Sequence, residues 1–142
     1  MTEASRKKDM AATEEISFDG QKVLLVEDNE MNREIATELL EEVGLVIDTA
    51  EDGAIAVRKV TENGPSYYDF ILMDIQMPVM DGYEATAEIR KMPGGSDVPI
   101  IALSANAFKE DVDRSLAAGM NAHAVKPIEV KALFETIRRL IQ

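Results

Sequence analysis

Five short apolar runs punctuate this chain: KVLLVED (22–28), LVIDTA (45–50), YDFILMD (68–74), VPIIALS (98–104) and AHAVK (122–126). Their length and their Val, Leu and Ile content suit strands buried on both faces. Between them apolar residues recur every three or four positions, the period of a helix. NEMNREIATELLEEVG (29–44) carries Met31, Ile35, Leu39, Leu40 and Val43 at that spacing, with Gly44 as its stop. GAIAVRKVTENG (53–64) ends at Gly64-Pro65, and GYEATAEIRKM (82–92) closes at Pro93-Gly94-Gly95. AFKEDVDRSLAAG (107–119) is a fourth helix, and EVKALFETIRRLIQ (129–142) a fifth with Val130, Leu133, Phe134, Ile137 and Ile141 on its inner side.

Strict alternation of five strands and five helices predicts an α/β fold, a doubly wound parallel sheet covered on both faces. Residues 1–20 lack periodicity and read as a flexible leader or linker, leaving residues 21–142 as one domain. In such a sheet, ligands bind beyond the carboxyl ends of the strands. Strand one ends there in Glu27-Asp28, strand three in Asp74, strand four in Ser104 and strand five in Lys126-Pro127. No comparable set falls on the opposite edge.

Charge sharpens that picture. The net charge is −12, and residues 21–142 alone hold 22 acids against 12 bases. Such a surface repels nucleic acid and anionic lipid. There is no cysteine, hence no disulfide framework or thiolate zinc site, in keeping with a cytoplasmic setting. Neither a membrane-spanning run nor a signal-peptide stretch is present in the sequence. Three carboxylates converging in a partly buried site repel one another unless a cation relieves them, and an all-oxygen set favours Mg²⁺. Lys126 fits as a point charge for an anion at the same place, and Ser104 as a hydroxyl donor. Metal, lysine and hydroxyl together describe a phosphoryl site in which Asp74 is the nucleophile.

Each residue also has an ordinary reading. Asp28 or Asn29 can cap the first helix, Asp81 the third and Ser104 the fourth. Lys126 alone is a typical solvated lysine. His123, the only histidine, reads as a strand-surface residue, and Met73, Met77, Met80 and Met120 as core and loop filler. Asp74 resists such a reading, because Pro78 follows and no helix starts directly after it.

VLLVEDNEMNREI, DFILMDIQMPVMDGYEAT, PIIALSANA and AAGMNAHAVKPI, in that order, closely resemble the signature stretches of the receiver domain of two-component response regulators. The resemblance covers residues 21–142 and implies the strand order 2-1-3-4-5. It implies that Asp74 accepts a phosphoryl group from a partner's phosphohistidine. Glu27, Asp28, Asp74 and the Gln76 backbone carbonyl would hold Mg²⁺, with Mn²⁺ as a substitute. Ser104 and Lys126 would contact the phosphoryl oxygens, and Lys126-Pro127 would be a cis peptide. Ser104, Phe108 and His123 would belong to the switch that couples the site to the face formed by the fourth helix, fifth strand and fifth helix. The family usually has tyrosine or phenylalanine where His123 stands. An inward imidazole there would make the switch depend on pH.

The wording DNEMN, MPVMDG and AGMNAHAVKPI most resembles receivers of hybrid histidine kinases. The implied partners are a kinase's phosphohistidine domain or a histidine phosphotransfer protein. The alternatives are a stand-alone regulator and a protein-binding pseudo-receiver, although none of the acids that a pseudo-receiver loses is missing. A phosphohydrolase of the haloacid-dehalogenase type needs an aspartate where Gln76 stands, so turnover of a separate substrate is not expected. A flavodoxin-type module needs a Gly- or Ser/Thr-rich first loop, and EDNEMN places acids there.

Overall fold

A computed structural model describes residues 18–105 and 108–141. In chain order the elements are β1 (Lys22–Val26), α1 (Glu30–Glu42), β2 (Val46–Ala50), α2 (Gly53–Asn63), a 3-10 turn (Pro65–Tyr67) and β3 (Phe70–Asp74). They continue with α3 (Gly82–Arg90), β4 (Ile100–Ser104), α4 (Lys109–Ala117), β5 (Ala122–Val125) and α5 (Val130–Ile141). The five strands are all parallel and lie in the order β2-β1-β3-β4-β5, as the sequence implies.

Strand alternation sorts the core into two layers. Val23, Leu25, Phe70, Leu72, Ile101 and Leu103 point to one face, where Ala36 and Leu40 of α1 and Leu133 and Ile137 of α5 cover them. Leu24, Val26, Ile71, Met73, Ile100 and Ala102 point to the other, covered by Ala56 and Val60 of α2 and Ala85 and Ile89 of α3. All twelve strand residues are essentially inaccessible. Each large aliphatic buried this way contributes about 1.5–3 kcal/mol, and together they fix the strand register.

Three sequence expectations need correction. Met31 and Ile35 are 68% and 57% exposed, so they are not the inner stripe of α1. That stripe is Ala36 and Leu40, one residue further on. The small Ala36 lets the helix lie close to the sheet, a role invisible when large side chains alone are counted. Ser104 does not cap α4, whose N-cap is Phe108, without a side-chain hydrogen bond. Finally, the strands stop short of their site residues: β1 ends at Val26, not Asp28, and β5 at Val125, not Lys126. On α5, Leu133 and Ile137 are buried while Val130 and Phe134 are half-buried. The Ile141 side chain, the expected helical Ala107 and leader residues 1–17 lie outside the described residues. Chain packing begins before β1: the Phe18 N–H donates to the Val43 carbonyl (2.6 Å), and its ring meets Phe134 edge-on at 5.0 Å.

Candidate functional site

Register brings the acids together. Val26 pairs with Met73, so the next step up the sheet sets Glu27 beside Asp74. Alternation also puts both on the face of Leu25 and Leu72. Each is only 3% exposed, whereas Asp28 is exposed. One ligand oxygen from each of Glu27, Asp28 and Asp74 can be chosen so that all lie within 4.8 Å of one another.

Lys126 reaches these acids from the loop after β5, just before a cis peptide to Pro127. Its Nζ lies 3.1 Å from Glu27 Oε1 and 3.2 Å from Asp74 Oδ2. The remaining oxygens accept backbone donors: Asn29 N–H to Glu27 Oε2 (3.1 Å) and Gln76 N–H to Asp74 Oδ1 (3.3 Å). One ammonium therefore faces two buried carboxylates, with a third acid at the rim. Burial, and then the Glu27 charge, raise the Asp74 carboxyl to about 7, against a partly offsetting pull from Lys126. Burial works against the Lys126 ammonium, yet Glu27 and Asp74 together hold its proton affinity above the ordinary lysine value. The donor set is short of positive charge and made of oxygen, which fits a hard divalent cation.

These groups line an open cleft of about 620 Å³ together with Gln76 and Ser104. The loop leaving β3 is shaped by close approaches. A Cβ on Gly82 would lie 2.4 Å from the Asp74 carbonyl oxygen, so α3 can start against the site only through glycine. Asp81 caps α3 in a reciprocal box with Glu84 (2.9 and 3.2 Å), and Asn29 caps α1 through Asn32 N–H (2.9 Å). Asp28 is thereby left for the cleft, and Asp81 keeps its capping role.

The opposite side of the β4 end holds the switch candidates. Ala102 pairs with His123, and Ser104 stands two residues along on the same face. Ser104 Oγ lies 2.7 Å from His123 Nε2, and His123 Nδ1 lies 3.1 Å from Ser115 Oγ in α4. His123 is thus no mere strand-surface residue. Phe108 is 63% exposed at the start of α4. Ser115, fully buried, is a residue that sequence reading passed over. Its signal is faint: a small polar residue three positions after Val112, on the inward stripe of α4. Arg114, stacked 4.4 Å over the Tyr83 ring at the cleft wall, was likewise not legible.

Residues 23–138 match the family described as response regulator receiver domain. The chain is 42% identical over 125 residues to hybrid signal transduction histidine kinase I of Dictyostelium discoideum, covering 85% of this chain but 7% of that protein. It is 45% identical over 114 residues to two-component response regulator ORR41 of Oryza sativa subsp. japonica, covering 79% of this chain and 87% of that one. Among solved structures it resembles the receiver domain of sensor histidine kinase PA1611 from Pseudomonas aeruginosa PAO1, which has a magnesium ion coordinated in its active site cleft. That likeness has a TM-score of 0.77 and 44% identity, and covers 86% of this chain and 98% of that one. The receiver domain of Ssk1, in its co-crystal with the Saccharomyces cerevisiae histidine phosphotransfer protein Ypd1, is similar at TM-score 0.75 and 32% identity, covering 87% and 90%. With this fold, this acidic edge and a match across nearly its whole length, the chain belongs to the family of two-component response regulator receiver domains.

Proposed function

We propose that Asp74 accepts a phosphoryl group from a phosphohistidine on a partner protein, in a Mg²⁺-dependent reaction. The observation that carries this is the pair of buried carboxylates: Lys126 bridges Glu27 and Asp74, yet leaves the site with one negative charge too many. An Asp74 carboxylate oxygen attacks phosphorus in line, the O–P bond forms, and the N–P bond breaks with its electrons returning to the donor imidazole. This transfer needs positioning and charge neutralisation more than acid–base chemistry. Lys126 supplies a fixed positive charge for the phosphoryl oxygens, and Ser104 a hydroxyl donor. Glu27, Asp28, Asp74 and the Gln76 backbone carbonyl would hold Mg²⁺ or Mn²⁺, which supplies charge neutralisation when bound. The partial pairing of Asp74 with Lys126 keeps the nucleophile aimed, and its elevated proton affinity marks how strongly the site calls for a cation.

The donor would be a histidine kinase domain or a histidine phosphotransfer protein, a reading supported by the Ypd1 complex of the similar Ssk1 receiver. The Ser104–His123–Ser115 contacts support signalling through the face of α4, β5 and α5. Likeness to a hybrid kinase supports reading the domain as the receiver of such a kinase; on this reading it sits at the kinase's C-terminal end and works in the cytoplasm. A stand-alone regulator is the second reading, supported by the rice regulator that the chain nearly spans. No helix among the described residues is long and apolar enough to cross a membrane.

Intact mass after incubation with acetyl phosphate tests the central claim, with and without Mg²⁺, in the wild type and Asp74→Asn. One base-labile phosphoryl adduct that needs Mg²⁺ and vanishes in the variant is the expected result. No adduct, together with no Mg²⁺-dependent beryllium fluoride binding, leaves only a protein-binding pseudo-receiver.

A further inference from the structure

His123 is the only histidine, and its ring is held between two serine hydroxyls. Ser115 is fully buried, and its Oγ donates to the Asp111 carbonyl one turn back at 3.0 Å. A hydroxyl has one proton to give. With that proton on Asp111, Ser115 can only accept from the ring, so the hydrogen-bond pattern assigns the neutral imidazole's proton to Nδ1. Nε2 is then a bare lone pair, and across 2.7 Å it accepts the Ser104 O–H. In this arrangement the Ser104 proton is committed to the ring and turned away from the acid cleft that Ser104 also lines.

A phosphoryl group on Asp74 asks Ser104 for that same proton. With a neutral ring, Ser104 must desert Nε2 to donate it. With an added ring proton the bond reverses: Nε2–H donates to Ser104 Oγ, and the hydroxyl keeps its contact while giving its own proton to the phosphoryl oxygen. We infer that His123 is a positioning residue for the phosphoryl group, and that phosphorylation of Asp74 and protonation of His123 favour each other. The inference rests on the phosphoacceptor reading. The proton comes from solvent, since His123 is half-buried and lines an open groove between β5 and α5. Linkage makes the effect reciprocal.

The charges around the ring allow it. Lys126 and Glu129 share its groove from the loop after β5, and Lys126 is already neutralised by Glu27 and Asp74. Among the described residues, α5 contributes Ala132, Leu133 and Thr136 and β4 contributes Leu103 and Ser104, none of them charged. From α4, Ser115 meets the ring, while the Asp111 and Arg114 side chains line the cleft beyond Ser104. Among the described residues lining the groove, Lys126 is the one cation, and its pairing with Glu27 and Asp74 leaves no unpaired positive charge to oppose an imidazolium.

The test is ¹⁵N NMR of the His123 ring from pH 5.5 to 8.5, in the free domain and with Mg²⁺ and beryllium fluoride. The free domain should show the Nδ1–H tautomer. Bound fluoride should raise the ring's midpoint by about one pH unit, which equals about ten-fold tighter fluoride binding at the acid end relative to His123→Phe. That comparison subtracts Asp74, whose carboxyl is raised to about 7. Ser115→Ala should erase the tautomer preference without touching the cleft. An Nε2–H tautomer in the free domain overturns the inference, whatever the cleft binds. So does an adduct that forms, by ¹⁹F NMR, with the midpoint unmoved. If no adduct forms in either wild type or His123→Phe, the phosphoacceptor reading itself falls and takes the inference with it.

Discussion

Lys126 and Asp74 stand 52 residues apart in the chain and 3.2 Å apart in the fold, and the same ammonium reaches Glu27 at 3.1 Å. The contact holds the charged form of Asp74 within reach of neutral pH. Without it, two buried carboxylates would face each other with no internal counter-charge. Lys126→Ala should therefore move the Asp74 midpoint above its value of about 7. Adduct formation from acetyl phosphate should slow about 10²-fold, the usual loss for one electrostatic partner of a reacting group. A ¹³C titration of the Asp74 carboxyl and a time course of intact mass read the two effects separately.

The raised Asp74 value also sets a direction for stability. Its folded value, about 7, exceeds its ordinary value of 3.8, so the folded protein binds more protons between those limits. Metal-free stability should accordingly fall as pH rises from about 4 to about 7, and level off above. Asp74→Asn removes the surplus charge and leaves Lys126 paired with Glu27. Urea unfolding at pH 8 in a chelator should show the variant more stable, by roughly 2 kcal/mol. At pH 4 the difference should be nearly gone. Added Mg²⁺ should stabilise the wild type, more at pH 8 than at pH 6, because cation and proton compete for the same carboxylate.

The strands and the acidic edge were legible because both rest on short-range patterns. KVLLVED and YDFILMD each end a buried run in carboxylates, and parallel topology then gathers every strand end on one edge. The four ordered motifs supplied the strand order. What escaped depends on side-chain packing. Ala36 outcompetes Met31 and Ile35 for the sheet because closeness of approach, not side-chain size, decides the face of α1. Ser115 is separated from His123 by a loop and a strand start, and no local spacing announces that their side chains meet. Arg90 is a similar case: its guanidinium is spent on the carbonyls of Gly119, Gly95 and Val98, three loop positions that no helical period links.

A second polar cluster lies outside the cleft. The Tyr68 hydroxyl donates to Asp48 Oδ2 at 2.6 Å, Lys59 Nζ reaches Asp48 Oδ1 at 2.8 Å, and Asn63 Nδ2 donates to the Tyr68 hydroxyl at 3.1 Å. It ties α2 to β2 and to the start of β3. Tyr68 is 3% exposed, so its hydroxyl has no water to fall back on. Tyr68→Phe should cost about 1–2 kcal/mol through the loss of two hydrogen bonds, one of them to a carboxylate. The adduct yield of the folded protein should be unchanged. Loss of the adduct with stability intact would contradict a purely structural role.

Val79 presents the opposite trade. It is a β-branched residue at φ 69°, 83% exposed, at the tip of a turn that Met80 N–H closes onto the Pro78 carbonyl at 2.7 Å. Such a backbone costs on the order of 1–3 kcal/mol for a branched side chain. The surrounding bonds hold it there: the Met80 carbonyl accepts from Gly53 N–H (3.1 Å), and Gly82 N–H donates to the Ile75 carbonyl (2.9 Å). Val79→Gly should relieve that strain while adding about 0.5–1 kcal/mol of unfolded-chain freedom, a net gain of roughly 1 kcal/mol. Val79→Ala keeps a Cβ at the same φ and should gain less. Urea unfolding of the two variants separates backbone strain from simple loss of an exposed apolar side chain. Equal stabilities would mean that the loop bonds, and not the Val79 backbone, set the energy of this turn.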